Sequence, residues 1–190
     1  MPHRTTAFST SPSVRHTVKS PVGPLTLVAS DAGLQFLLFP NSRTPASLHL
    51  DTLKADPTHP VLQQTEHQLA EYFAGHRTTF DVPLDTTGTP FQQAVWALLQ
   101  HIPYGQTTTY GALALKMGGP GKARAVGLAN GQNPVSIIVP CHRVIGTSGA
   151  LTGFGGGLPA KAYLLQLEQR RTHHAPTFCV QADLFSEAQG

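Results

Sequence analysis

Residues 91–131 read FQQAVWALLQHIPYGQTTTYGALALKMGGPGKARAVGLANG, and the spacing within this stretch decides the fold. Phe91, Val95, Leu98, Leu99 and Ile102 recur at helical spacing and so share one face of a helix. Pro103-Tyr104-Gly105 ends it. Thr109 then offers a hydroxyl to cap a second helix, with Leu113, Ala114 and Met117 turned inward, until Gly118-Gly119 stops it. Pro120 is placed to open a third helix running from about residue 121 to residue 130. Two short helices joined by a glycine-rich turn form a helix-turn-helix pattern, common in itself and not specific for one function. A mostly α unit is predicted here.

Moving towards the N-terminus, residues 81–90 carry prolines, a glycine and several threonines, a composition suited to an extended linker rather than a core element. Before it, the apolar runs 22–28 and 34–39 are separated by Ser30-Asp31-Ala32-Gly33, whose Asp and Gly suit a turn, and the pair reads as a β-hairpin. Leu62, Thr65, Leu69, Tyr72 and Phe73 recur at helical spacing between Pro60 and Gly75, predicting a helix packed on the hairpin's sheet. The expected organisation is a small α/β domain over 13–85 and a helical domain over 86–171. Residues 1–12 and 172–190 are polar and aperiodic and are read as tails, the second containing Cys179.

Bulk composition narrows the function classes. A chain of 190 residues with 40% apolar residues can bury a substantial core. The 13 Lys and Arg against 10 Asp and Glu give a net charge of +3 and a pI near 9.1, which permits a polyanionic partner without requiring one. Only 12% of residues are charged, so any nucleic-acid patch must be local. Two cysteines, Cys141 and Cys179, are too few for a secreted disulfide framework and favour a reducing compartment. No run approaches the roughly 18 apolar residues of a membrane span, and the N-terminus lacks the apolar block of a signal peptide. A cytoplasmic protein without membrane contact is expected.

Chemistry concentrates after the third helix, in Asn133-Pro134, the apolar run Val135, Ile137, Ile138, Val139, and then Pro140-Cys141-His142-Arg143-Val144-Ile145. A cysteine beside a histidine, after a rigid proline, supplies a nucleophile and a base. Adjacency does not establish geometry, and on spacing alone a lone cysteine is more often just a small buried core residue. A zinc site lacks a second Cys or His pair at ligand spacing.

From residue 91 to residue 168 the chain resembles the C-terminal domain of the O6-alkylguanine-DNA alkyltransferases. The matching blocks are Ile102-Pro103-Tyr104-Gly105, Thr109-Tyr110-Gly111, Ala123-Arg124-Ala125-Val126-Gly127, Asn133-Pro134, the Pro140 to Ile145 block, Gly156-Gly157-Leu158, Lys161, Leu164-Leu165 and Glu168, in the family's order and spacing. The N-terminal half resembles the family's sheet domain only in element order. The resemblance implies a ribonuclease-H-like α/β domain followed by a winged-helix-like helix-turn-helix domain. It implies direct-reversal DNA repair: one irreversible transfer of an alkyl group from O6 of a flipped-out guanine to Cys141, with O4 of thymine an open alternative substrate. His142 would take the thiol proton through a water, and Glu168 would orient the imidazole. Arg124 would fill the hole left by the rotated base, and Tyr110 would bond the flipped base and crowd the 3′ phosphate. Asn133 would be the hinge between helix-turn-helix and nucleophile turn. Residues 153–157 would form a loop over the guanine, with Gly155 offering a backbone donor and Lys161 steadying the loop.

Ordinary structural roles compete with each of these assignments: a surface arginine for Arg124, a helix-start aromatic for Tyr110, an Asn-Pro turn for Asn133, a surface lysine for Lys161 and a solvated residue for Glu168. The loop departs from the family pattern, with Phe154 where many members carry Tyr and Gly155 where they carry a side chain, so altered rate or substrate range is expected. The implied partner is double-stranded DNA containing O6-alkylguanine, approached through the minor groove by a monomer, with cooperative assembly on DNA left open. No cofactor and no metal are expected, since the N-terminal zinc ligands of some relatives have no counterpart. The competing functions are a non-catalytic alkylguanine sensor, a thiol hydrolase and a helix-turn-helix regulator. Presence of Cys141 weighs against the sensor, single turnover would exclude the hydrolase, and equal affinity for unrelated duplexes would exclude the regulator.

Overall fold

The computed structural model describes residues 12–40, 42 and 48–172, with side chains to residue 170. The two predicted tails, apart from residues 12 and 172, and Cys179 lie outside the described residues. Val14–Val18 (β1), Leu25–Ser30 (β2) and Gly33–Leu38 (β3) pair antiparallel in sequence, and Lys54–Ala55 (β4) lies parallel beside β1, giving the order β3-β2-β1-β4. The hairpin predicted from residues 22–39 is present as β2 and β3, with Asp31-Ala32 as its turn. Val22 belongs to the preceding turn and not to a strand. β1 has no counterpart in the predicted elements, because its central Arg15-His16-Thr17 hides the apolar signal of a strand. Leu25, Leu27 and Ala29 are fully buried. Pro60–Phe73 (α1) packs on this sheet and buries Leu62, Thr65, Leu69 and Tyr72, as the helical spacing predicts.

Residues 81–90 are extended, as their composition suggests, yet they are joined to the sheet. Leu34 N–H donates to Pro83 O at 2.8 Å, and Asp85 N–H donates to Leu34 O at 2.9 Å. The Asp85 carboxylate accepts from Ser30 Oγ at 2.7 Å and Gln35 Nε2 at 2.9 Å, and Val82 is buried. This corrects the reading of the segment as lying outside the core. Gly33 is required where the two meet: a Cβ there would stand 2.6 Å from the Pro83 carbonyl oxygen, and its φ of +155° is itself unfavourable for a side chain.

Pro90–Gln100 (α2) starts with a capping box, Thr89 Oγ1 accepting from Gln92 N–H while the Gln92 side chain accepts from Thr89 N–H. It ends two residues before Ile102, which is buried beyond the helix. Thr108–Thr109 (β5) leads into Tyr110–Lys116 (α3), capped as expected by Thr109 Oγ1 from Ala112 N–H at 3.1 Å. Pro120 opens a single 3-10 turn, Pro120–Lys122, and the third helix proper is Ala123–Gly131 (α4). α4 lies against α2, where the Trp96 indole N–H donates to Ala129 O at 2.8 Å. Val144–Ile145 (β6) pairs parallel with β5, and Gly157–Thr172 (α5) closes the domain. The halves share one core, and Leu37 N–H of β3 donates to Pro134 O at 2.8 Å across the junction. No helix among the described residues is long and apolar enough to cross a membrane.

Candidate active site

The segment after α4 folds back on itself. Asn133 Oδ1 accepts from Val135 N–H at 3.1 Å, and its Nδ2 donates to Val139 O at 2.7 Å, tying the two ends of a tight turn. Inside that turn Ile137 has φ +76°, a conformation that costs a β-branched residue about 1–3 kcal/mol. Cys141 follows as the first residue of a 3-10 turn, Cys141–Arg143, with its N–H bonded to Val139 O at 2.8 Å. Its side chain is buried, and Sγ lies 3.6 Å from Ser136 Oγ. Cys141 lines an open cavity of about 810 Å³ together with Tyr110, Asn133, Ser136 and residues 153–155.

Behind the cysteine, Glu168 on α5 gathers donors from three separate parts of the chain. His142 Nε2 bonds its Oε1 at 2.8 Å. Arg143 donates twice, Nε to Oε2 and Nη2 to Oε1, both at 2.9 Å. Tyr72 Oη, from α1, donates to Oε1 at 2.8 Å, and Gly105 N–H donates to Oε2 at 3.0 Å. Burial pushes the Glu168 carboxyl up, but the opposing pull of His142 and Arg143 is larger and leaves it well below the usual carboxylate range. Burial also drives the His142 imidazole down, against the pull of Glu168, which favours the neutral ring. With Nε2 held by the carboxylate, Nδ1 has no protein hydrogen-bond partner among the described residues. Burial raises the Cys141 thiol, opposed by Asn133, Ser136 and Lys161.

Lys161 is fully buried, which excludes the surface alternative. Its Nζ donates to Val144 O at 2.6 Å and to Thr152 O at 2.7 Å, so it clamps the start of the 153–157 loop. Burial brings its pKa down to about 8. Tyr110 Oη also donates to Thr152 O, at 3.4 Å. Phe154 stacks edge-on against Phe39 of the sheet domain, ring centroids 5.2 Å apart, and Ser42 Oγ donates to Gly155 O at 3.5 Å. Arg124 stands exposed on α4, apart from the buried cluster. Thus Cys141, Tyr110, Asn133 and Gly155 border one cavity, His142, Glu168 and Lys161 lie buried behind or beside it, and Arg124 is at the surface. Sequence reasoning did not single out Arg143, Tyr72, Ser136 or Phe39. Arg143 stood inside a quoted motif, whereas Tyr72 and Phe39 carried only the signal of core residues, in the helical spacing and in the apolar run 34–39. No group of three or more His, Cys, Asp or Glu able to hold a metal occurs among the described residues.

Comparison with known proteins agrees with this architecture in both halves. Residues 13–86 match the family described as "6-O-methylguanine DNA methyltransferase, ribonuclease-like domain", and residues 90–170 match its "DNA binding domain". The chain is 51% identical over 156 residues to the methylated-DNA--protein-cysteine methyltransferase of Mycobacterium tuberculosis, covering 82% of this chain and 92% of that one. It is 44% identical over 150 residues to the protein of the same name from Methanosarcina acetivorans, covering 79% and 94%. Among solved structures, Mycobacterium tuberculosis OGT in complex with DNA superposes with a TM-score of 0.77 at 51% identity, covering 83% of this chain and 93% of that one. The chain therefore belongs to the 6-O-methylguanine DNA methyltransferase family.

Proposed function

We propose that this protein is a methylated-DNA–[protein]-cysteine S-methyltransferase that repairs DNA directly, taking the alkyl group from O6 of a flipped-out guanine onto Cys141 once per molecule. The observation that carries this reading is the placement of Cys141 at an accessible cavity with His142 behind it, fixed by a buried carboxylate. The Cys141 thiol passes its proton through a water to His142 Nδ1, and Glu168 balances the charge the imidazole gains. The thiolate sulfur attacks the alkyl carbon, the carbon–O6 bond breaks, and its electron pair stays with the guanine, which takes up a proton. The thioether has no leaving group that water could displace under these conditions, so the acceptor is consumed.

Residues 86–171 form the DNA-binding and acceptor domain, and 13–85 brace it. The partner is double-stranded DNA, entered through the minor groove by α4, where sequence information is poor and a damage scanner loses nothing. Exposed Arg124 occupies the place of the extruded base, and Tyr110 bonds that base within the cavity. Asn133 couples α4 to the nucleophile turn, Gly155 supplies a backbone donor to the base, and Lys161 holds the loop that covers it. The protein acts in the cytoplasm as a monomer. A non-catalytic sensor is not favoured, because the relatives are named methyltransferases and Cys141 is present. The test is intact mass after incubation with excess duplex containing O6-methylguanine, beside Cys141→Ala. One added methyl, absent in the variant, supports the reading, and no gain of mass overturns it.

A further inference from the structure

We propose that the Ser136 hydroxyl donates directly to Cys141 Sγ and stabilises the thiolate, and that the left-handed backbone at Ile137 serves to aim it. This rests on Cys141 being the reacting nucleophile. Sγ and Oγ are 3.6 Å apart and both side chains are buried. In the neutral thiol either atom can donate, but once sulfur has lost its proton only the hydroxyl can, so the contact favours the ionised form.

The other groups around the sulfur are already committed. His142 faces Glu168 through Nε2 and serves to remove the proton. Lys161, from α5, directs Nζ at Val144 O and Thr152 O and acts on the sulfur through its charge. Tyr110, from α3, gives its hydroxyl to Thr152 O. Asn133 holds Val139 O through its amide nitrogen and Val135 N–H through its amide oxygen, and its side chain also favours the ionised sulfur. Burial opposes ionisation at Cys141, which makes each direct donor count. Ser136 precedes the cysteine by five residues and reaches it only because the chain reverses at Ile137, with Val139 N–H bonded back to Val135 O at 3.0 Å. A strained β-branched residue in the turn that leads to the reacting cysteine is the kind of backbone feature that function maintains.

The experiment uses the full chain in a Cys179→Ser background, with Cys141 alkylation by iodoacetamide followed by peptide mass from about pH 6 to pH 10. Ser136→Ala is expected to react roughly ten-fold more slowly near pH 7, with the rise of its rate displaced to higher pH than the parent's, because the hydroxyl no longer donates to the thiolate. Ser136→Thr keeps the hydroxyl and is expected to follow the parent. A Ser136→Ala profile equal to the parent's overturns the proposal. So does an equal loss at every pH shared by both variants, which would mean packing alone. Because iodoacetamide needs no DNA, a protein that fails to accept methyl from O6-methylguanine would refute the repair reading while leaving this measurement interpretable.

Discussion

Replacing Glu168 by Gln isolates the charge at the centre of the buried cluster. The carboxylate accepts from His142 Nε2, Arg143 Nε and Nη2, Tyr72 Oη and Gly105 N–H, all between 2.8 and 3.0 Å. In the amide one oxygen becomes an NH2 facing donors, and buried Arg143 loses its countercharge. Breaking a buried ion pair on one side costs about 3–5 kcal/mol. At about 2–4 °C per kcal/mol for a chain of this length, the melting temperature should fall by about 6–20 °C. Adding Arg143→Met to the same protein should recover part of that loss, since no unpaired charge is then left inside. The pH dependence carries a second signature. Because the folded carboxyl lies well below its unfolded value near 4.3, its contribution is complete above that pH and fades as pH falls towards the folded value. Glu168→Gln should therefore show a shallower acid limb below about pH 4. Thermal melts at pH 7 measure the first, and urea titrations from pH 3 to 7 measure the second. A variant within about 1 kcal/mol of the parent, with an unchanged acid limb, would refute the assignment of Glu168 as the charged hub.

Three further changes probe the surroundings. Arg124→Ala should slow methyl transfer from duplex DNA at least about tenfold more than reaction with free O6-benzylguanine, because only the duplex must be unstacked; equal losses would remove the intercalating role. Gly156→Ala should destabilise by about 1–3 kcal/mol, since a Cβ there meets the Phe39 ring at 2.5 Å, and Phe39→Leu in the same chain should relieve it. Tyr72→Phe removes one donor to a charged acceptor and should cost about 1.5–3 kcal/mol by urea titration; no measurable loss would mean the other donors fully compensate.

Local physics alone specified much of this protein. The caps at Thr109, the helical spacing of 91–102 and 62–73, and the Asp-Ala-Gly hairpin turn each depend on neighbours a few residues away, so they are readable along the chain. The nucleophile, base and carboxylate were named from the resemblance to a family's motifs, whose residue types and order are sequence properties. What only the tertiary structure decided is whatever joins distant segments. Arg143 turns inward to Glu168 instead of to solvent, Tyr72 crosses from α1 to the same carboxylate, and Phe39 of the sheet domain supports Phe154 in the loop. The linker shows the same limit: its prolines and threonines predict an extended chain, but nothing local reveals that Asp85 will find Ser30 and Gln35. Sequence spacing encodes which residues can share a face, whereas burial and long-range hydrogen bonding arise only when separate elements compete for the same interior.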